Sequence, residues 1–250
     1  MSALAGQIAY VTGGTSGIGE AVTEGLRALG VKVAVLTDAP VGDALAGGRV
    51  DAAEQVDIAD AAAVMAAVER IEATLGPADM LVNNAAVWAP NPVPESALAL
   101  FDRHIDVNLK GSFYVTQAVL PAMIARGGGR IVFVGSVSGT AGRAGDSAYS
   151  ASKAGVAMLA RTLAAEQGPK GIRINCLCPG AVATPLTAPL RTPEGEGAIA
   201  ALLERHPSPR RAFFMTPQQI ADSIIFLLSP ASSAINGAVI AADEGLTATM

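Results

Sequence analysis

The order of short β-branched runs and longer amphipathic stretches predicts an α/β fold, a doubly wound parallel sheet of about seven strands with helices on both faces. Two further observations point the same way. A glycine-rich turn joins the first strand to the first helix, and every other unusual residue cluster falls directly after a strand, where ligands sit in such folds. The chain has 250 residues, 51% of them hydrophobic, which suits one domain (1–250) with a substantial core. No linker, repeat or composition shift marks a second.

The elements follow in order. Residues 8–12 are an apolar strand and 17–29 an amphipathic helix opened by glycines; 31–36 form the second strand, and 55–57 close a short third. An Ala-rich helix covers 61–75, the fourth strand is 80–83, and a long helix lies within 97–126. The fifth strand is 130–135, a helix spans 149–167, and the sixth strand is 172–177. A helix over 217–228 starts with proline in its first turn, where the missing N–H costs nothing, and 238–241 make the last strand. Residues 40–50 are too short and Gly-rich for a full helix.

Composition excludes several roles. The net charge of −5 offers no footprint for nucleic acid. No run of 18 apolar residues appears, and the first basic residue is Arg27, so neither a membrane span nor a signal peptide is expected; a soluble cytoplasmic protein is. Cys176 and Cys178 are the only cysteines. As i and i+2 on a strand they are poorly placed for a disulfide and are expected as buried thiols, and no metal site is expected. His104 and His206 lack the company of a nucleophilic triad.

The turn Thr12-Gly13-Gly14-Thr15-Ser16-Gly17-Ile18-Gly19 lies between strand and helix. Glycines let a pyrophosphate approach the backbone, and the helix N-terminus supplies free N–H donors, so nucleotide binding is expected there. Tyr149 and Lys153 stand four apart on one helix face. An ammonium beside a phenol should favour the phenolate and lower its pKa, making Tyr149 a candidate general acid–base.

These motifs resemble the classical short-chain dehydrogenase/reductase family over about residues 6–248. The glycine turn has its spacing, and Asp57, Asn83-Asn84-Ala85-Ala86 and Asn108 follow in order. Ser136 stands thirteen residues before Tyr149, and Pro179-Gly180-Ala181-Val182-Ala183-Thr184 follows the sixth strand. The resemblance implies a Rossmann-type domain and a catalytic tetrad of Asn108, Ser136, Tyr149 and Lys153. Tyr149 would exchange a proton with the substrate oxygen, and Ser136 would hydrogen-bond that oxygen. Lys153 would lower the tyrosine pKa and hold the nicotinamide ribose. Asn108 would anchor a water relay, unless it merely bonds the backbone of its own helix.

For the cofactor, the resemblance implies Gly13, Ser16, Gly17, Ile18 and Gly19 against the pyrophosphate and adjoining ribose. Asp57 and Ile58 would meet the adenine, Asn84 the adenosine side, and Pro179, Val182 and Thr184 the nicotinamide, with Tyr149 and Lys153 also in contact; Asn83 is expected to brace its strand. NAD is expected over NADP, because Asp38 ends the second strand and neither that position nor the glycine turn carries Arg or Lys. The other reading of Asp38 is a turn cap before Pro40, and Arg49 is the cation that would reverse the preference.

The resemblance implies an NAD-dependent oxidoreductase of a secondary alcohol or its ketone. A lid over 185–215, with a short helix at 198–203, is rich in apolar side chains and suggests a hydrophobic substrate. A 3-oxoacyl or other ketone reductase and a cis-dihydrodiol dehydrogenase are alternatives within the family; a catalytically silent NAD(H)-binding sensor or scaffold is the alternative of a different class. By resemblance, a homotetramer or homodimer is expected. Ala86 and Glu244 replace glycines usual in the family, and Ala86 should be tolerated at negative φ.

Overall fold

β1 (Ile8–Thr12) is the middle of the nucleotide-side half of the sheet, with β2 (Lys32–Thr37) and β3 (Ala52–Gln55) on one side and β4 (Met80–Asn83) on the other. Continuing outward come β5 (Gly129–Val134), β6 (Ile172–Pro179) and β7 (Val239–Ala242), giving seven parallel strands in the order β3-β2-β1-β4-β5-β6-β7. The computed structural model describes residues 3–90, 92–93, 96–192 and 214–249.

Buried on both faces, the strands read as continuous apolar runs, and successive residues feed two separate cores. From β1, Tyr10 enters one core while Ala9 and Val11 enter the other; from β5, Phe133 and Val132 divide in the same way. The first core is closed by α3 (Ala61–Leu75), α5 (Ser112–Arg126) and α6 (Ser147–Gln167). The second is closed by α1 (Gly17–Ala28) and α7 (Pro217–Leu228). Each large side chain taken fully from water, such as Phe133, contributes about 2–3 kcal/mol.

Helix starts follow local chemistry. The Asp60 side chain accepts from Ala63 N at 3.0 Å to cap α3, and Thr216 and Gln219 form a capping box ahead of Pro217 on α7. The end of α7 is held from the sheet. Arg130 and Arg173 are register partners on β5 and β6. Arg173 donates to the carbonyls of Leu227, Ser229, Ser232 and Ile235 at 2.9–3.1 Å, and Arg130 donates to that of Leu228 and to the Gln7 side chain. Burial lowers the pKa of both arginines, and their carbonyl partners satisfy the donors.

Several expectations need correction. The third strand ends at Gln55, opposite Thr37, so Asp57 lies past the ladder rather than in it. The long helix of 97–126 is three pieces: α4 (Leu98–His104), a π-helical turn (Ile105–Gly111) and α5. Residues 40–50 hold no full helix, as expected, only the five-residue α2 (Gly42–Ala46). The sixth strand runs on to Pro179, and the last is Val239–Ala242. The short helix expected at 198–203, and His206, lie outside the described residues. Ala86 does not have positive φ, whereas Glu244 does, at 51°, a left-handed conformation that a side chain disfavours. The two thiols are free and buried, with Sγ atoms 3.8 Å apart.

Candidate functional site

At the carboxyl ends of β1, β2, β4, β5 and β6 lies a cleft of about 460 Å3, running from Asp38 at one end to Thr184 at the other. Gly13, Ser16, Gly17, Ile18, Asp38, Asp57, Ile58, Asn84, Ser136, Tyr149, Lys153, Pro179, Val182 and Thr184 all line it. Of the residues expected in the catalytic tetrad or against the cofactor, only Gly19 and Asn108 do not.

Gly19 works from below. A Cβ there would stand 2.1 Å from Gly13 O, so the first turn of α1 can meet the β1 loop only without a side chain. Gly17, at φ +55°, turns the chain into the helix. Ser16 occupies the N-cap without a side-chain cap bond, so first-turn N–H groups remain available beside the cleft. Asn84 fastens the other side: its Nδ2 donates to Thr12 O at 3.0 Å and Gly13 O at 3.2 Å. Asn84 thus braces the turn's backbone, while Asn83 donates to Thr116 Oγ1 at 2.9 Å inside the core, as its strand role requires.

At the adenosine end, the Asp38 carboxylate is exposed and makes no hydrogen bond among the described residues, while the Ala39 N–H is capped by Thr37 Oγ1 at 3.2 Å. The turn cap expected of Asp38 therefore belongs to Thr37. Asp57 accepts from Ala59 N at 3.0 Å and from Arg103 Nη1 at 2.8 Å. Burial raises its pKa, but these two donors outweigh it and hold the carboxyl below its usual value. Arg103 and Arg49 also line this end, Arg49 at 3.5 Å from Glu20. Sequence reasoning missed Arg103 because its partner stands 46 residues away, beyond any local pattern.

Ser136 follows β5 by two residues and Tyr149 lies in the first turn of α6; the turn Val137–Gly139 between them brings the two together. Gly139 permits the approach, since a Cβ there would lie 2.6 Å from Lys153 C. Ser136 stands beside the phenol and acts to lower its pKa, and the Lys153 ammonium lies 5.8 Å from the Tyr149 ring centroid, donating to Val134 O at 2.8 Å. His104, fully buried, stands edge-on to the Tyr149 ring at 6.2 Å and accepts from Ala89 N through Nε2 at 3.2 Å.

The electrostatics correct the expected direction for the tyrosine. Burial pushes Tyr149 up to about 12, with Ser136 acting the other way. Burial also pushes Lys153 down to about 8, against the pull of the neighbouring thiols. The lysine therefore yields its proton before the phenol does, and desolvation outweighs the attraction that the i,i+4 spacing suggested.

Asn108 sits behind the cleft. Its Oδ1 accepts from Val87 N at 2.8 Å, and its Nδ2 donates to Val87 O and Ser152 Oγ, both at 3.0 Å. It lies in the π turn, an insertion often found at functional sites. The side chain bonds the loop after β4, not the backbone of its own helix, and ties that loop to α6 beside Lys153.

A second cavity, of about 370 Å3, shares Ser136 and Tyr149 with the cleft. Trp88, Val137, Leu186, Leu190 and Leu246 give it apolar walls; Arg143 and Asp146 are its charged residues.

Residues 7–195 match the short chain dehydrogenase family model. The chain is 37% identical to cis-4-hydroxycyclohexanecarboxylate dehydrogenase of Sinomonas cyclohexanicum, over 98% of each chain. Among solved structures it is similar to levodione reductase, with 32% identity and a TM-score of 0.90 over 99% of this chain and 100% of that one. It is also similar to a gluconate 5-dehydrogenase of Burkholderia cenocepacia in complex with NADP and tartrate, at 31% identity and a TM-score of 0.89 over 99% and 97%.

Proposed function

This chain belongs to the short-chain dehydrogenase family, oxidoreductases that use a nicotinamide cofactor on alcohols and ketones, and we propose that it is an NAD-dependent dehydrogenase of a secondary alcohol with a largely apolar body. The observation that carries this reading is the meeting of Ser136, Tyr149 and Lys153 on one wall of a cleft whose far end is the glycine turn.

The cleft fits a dinucleotide. Its turn excludes side chains where a pyrophosphate would lie, and first-turn N–H groups of α1 stand beside it. Gly13, Ser16, Gly17 and Ile18 would hold the phosphates, with Gly19 making room beneath. Asp57 and Ile58 would hold the adenine, Asp38 the adenosine ribose, and Pro179, Val182 and Thr184 the nicotinamide. When bound, the nicotinamide supplies the hydride acceptor. Tyr149 takes the proton from the substrate hydroxyl in oxidation and returns it in reduction. Ser136 donates a hydrogen bond to the same oxygen and stabilises charge developing there. Lys153 would hold the ribose hydroxyls and, as a neutral amine made accessible by its lowered pKa, take the phenol's own proton as Tyr149 receives the substrate's. Asn108 positions the loop after β4 and the base of α6, and its place in the π turn supports a part in moving the proton outward.

The preference for NAD rests on the unpaired Asp38 carboxylate, which would accept from a ribose 2′-hydroxyl and repel a 2′-phosphate, and on the pairing of both nearby arginines with acids. That a similar structure holds NADP argues the other way, so the cofactor is the first thing to measure. Titrating the protein with NADH and NADPH should give tighter NADH binding, and Asp38→Ala should narrow the ratio about tenfold or more; tighter NADPH binding would reverse the assignment. In the same preparation, a panel of cyclic and aromatic secondary alcohols should be oxidised with NAD. Binding of cofactor without turnover of any alcohol would favour the silent sensor or scaffold.

The rest of the reading is coarser. Most of the substrate lid expected over 185–215 lies at 193–213, outside the described residues; its described part supports the reading through Leu186 and Leu190 on the wall of the second cavity. Phe113 on α5 and Met158 on α6 are exposed apolar side chains on the helices expected to pack subunits together, in support of a homotetramer or homodimer. Among the described residues no helix is long and apolar enough to cross a membrane.

A further inference from the structure

The second cavity carries a charged pair that the chemistry above does not use. We infer that Arg143 is the substrate-anchoring cation of this site, and that the substrate bears a carboxylate on its apolar body. The inference rests on the reading of Ser136 and Tyr149 as the reacting end of the pocket, and adds what lies at the other end.

The pair is asymmetric. Arg143 Nε lies 3.4 Å from Asp146 Oδ2, with the arginine side chain 49% exposed and the aspartate 4%. Asp146 is therefore the fixed partner. Its Oδ1 accepts from Trp88 Nε1 at 3.0 Å, while its Oδ2 is buried and accepts no hydrogen bond, so the charge of Arg143 is its compensation. A buried carboxylate without a cation would cost several kcal/mol, so Asp146 holds the guanidinium at this place. A ligand cannot use the carboxylate in return, because its free oxygen lies beneath the surface.

Of the pair, Arg143 is the accessible member: both line the cavity, but its side chain is 49% exposed against 4% for Asp146. Arg143 has no partner but Asp146 among the described residues, and its two terminal nitrogens are free donors in a planar fork that fits a carboxylate bidentately. Arg143 and Asp146 are the charged residues on the described wall, and because the Asp146 oxygens are bonded to Trp88 or buried, the charge an anion in the cavity can reach is that of Arg143. The remaining wall, with Trp88, Val137, Leu186, Leu190 and Leu246, is apolar. Arg143 also lies three residues before Asp146 and six before Tyr149, on the segment that leads into α6, so the anion site and the proton-transfer group are set by one stretch of chain. The substrate this describes is a hydroxy acid with a hydrocarbon core, its hydroxyl at Ser136 and Tyr149 and its carboxylate at Arg143.

The test uses ligands that cannot react. Trp88 is the sole tryptophan and bonds the acid that holds Arg143, so its fluorescence reports occupancy of this pocket. Protein saturated with NAD should be titrated with cyclohexanecarboxylate and with its methyl ester, neither of which has a hydroxyl to oxidise. The acid should bind about tenfold or more tighter than the ester. Arg143→Gln should abolish that preference, and Arg143→Lys should keep part of it. Equal binding of acid and ester by the wild-type protein, no binding of the acid, or a preference that survives in Arg143→Gln would each overturn the inference. The wild-type comparison stands whatever the variants do to folding. A protein that prefers the acid yet oxidises no alcohol would keep Arg143 as an anion site and remove the proposed reaction. One that oxidises neutral alcohols and shows no preference for the acid would do the reverse.

Discussion

Tyr149 and Lys153 show how far a residue pattern can be read and where it stops. Their spacing marked the reacting centre, yet the direction of the tyrosine's pKa depends on burial, which spacing does not encode. Lys153, 3% exposed, has a folded pKa of about 8 against an ordinary 10.5. The folded protein thus binds fewer protons than the unfolded chain between those values, and stability rises with pH across that window. Below pH 8 the fold bears the full cost of the buried ammonium. Without cofactor, unfolding by denaturant at pH 7.5 and 9.5 should show the wild type gaining about 2 kcal/mol relative to Lys153→Met. A constant difference would mean that the ammonium is not desolvated. Tyr149 runs the other way, since its raised pKa removes stability only above pH 10. Asp38 and Asn108 were legible as positions; that Thr37 takes the cap from Asp38, and that Asn108 holds Val87, required the tertiary structure.

At the scale of elements, alternating apolar runs and helix caps located nearly every strand and helix, because each buries a face that its own sequence must supply. The failures have physical causes. The π turn needs one extra residue accommodated around Asn108, with no hydrophobic signal of its own. The third strand was placed late because its end is set by pairing with Thr37. The joint between sheet and α7 was equally hidden, since Arg130 and Arg173 are strand arginines whose carbonyl partners lie more than fifty residues on. Arg173→Leu would remove the charged donor from the carbonyls of Leu227, Ser229, Ser232 and Ile235, leaving each with its neutral partner, from Ser232, Ile235 or Asn175. Thermal and denaturant unfolding should show a loss of about 3 kcal/mol, with cofactor affinity within a fewfold of the wild type in the folded protein. A loss below about 1 kcal/mol would mean that water replaces the arginine at those carbonyls.

The whole molecule separates support from chemistry. Two cores hold seven parallel strands, and their carboxyl ends bring together the glycine turn, Ser136, Tyr149 and Lys153 from segments more than a hundred residues apart. The resemblance carried by the motifs made this arrangement legible before any coordinates. The second cavity was legible only through the apolar lid expected over 185–215, because Trp88, Arg143 and Asp146 meet through the fold and follow no shared motif. The central claim is that Tyr149 transfers the proton in a site that binds cofactor independently of it. Its most direct test is Tyr149→Phe, measured for NADH binding by fluorescence and for turnover of an alcohol that the wild type oxidises. Turnover should fall by about a thousandfold or more while NADH affinity stays within a fewfold, because the ring and its packing on His104 remain and only the hydroxyl is lost. Turnover near the wild-type rate would contradict the account and place proton transfer on another group.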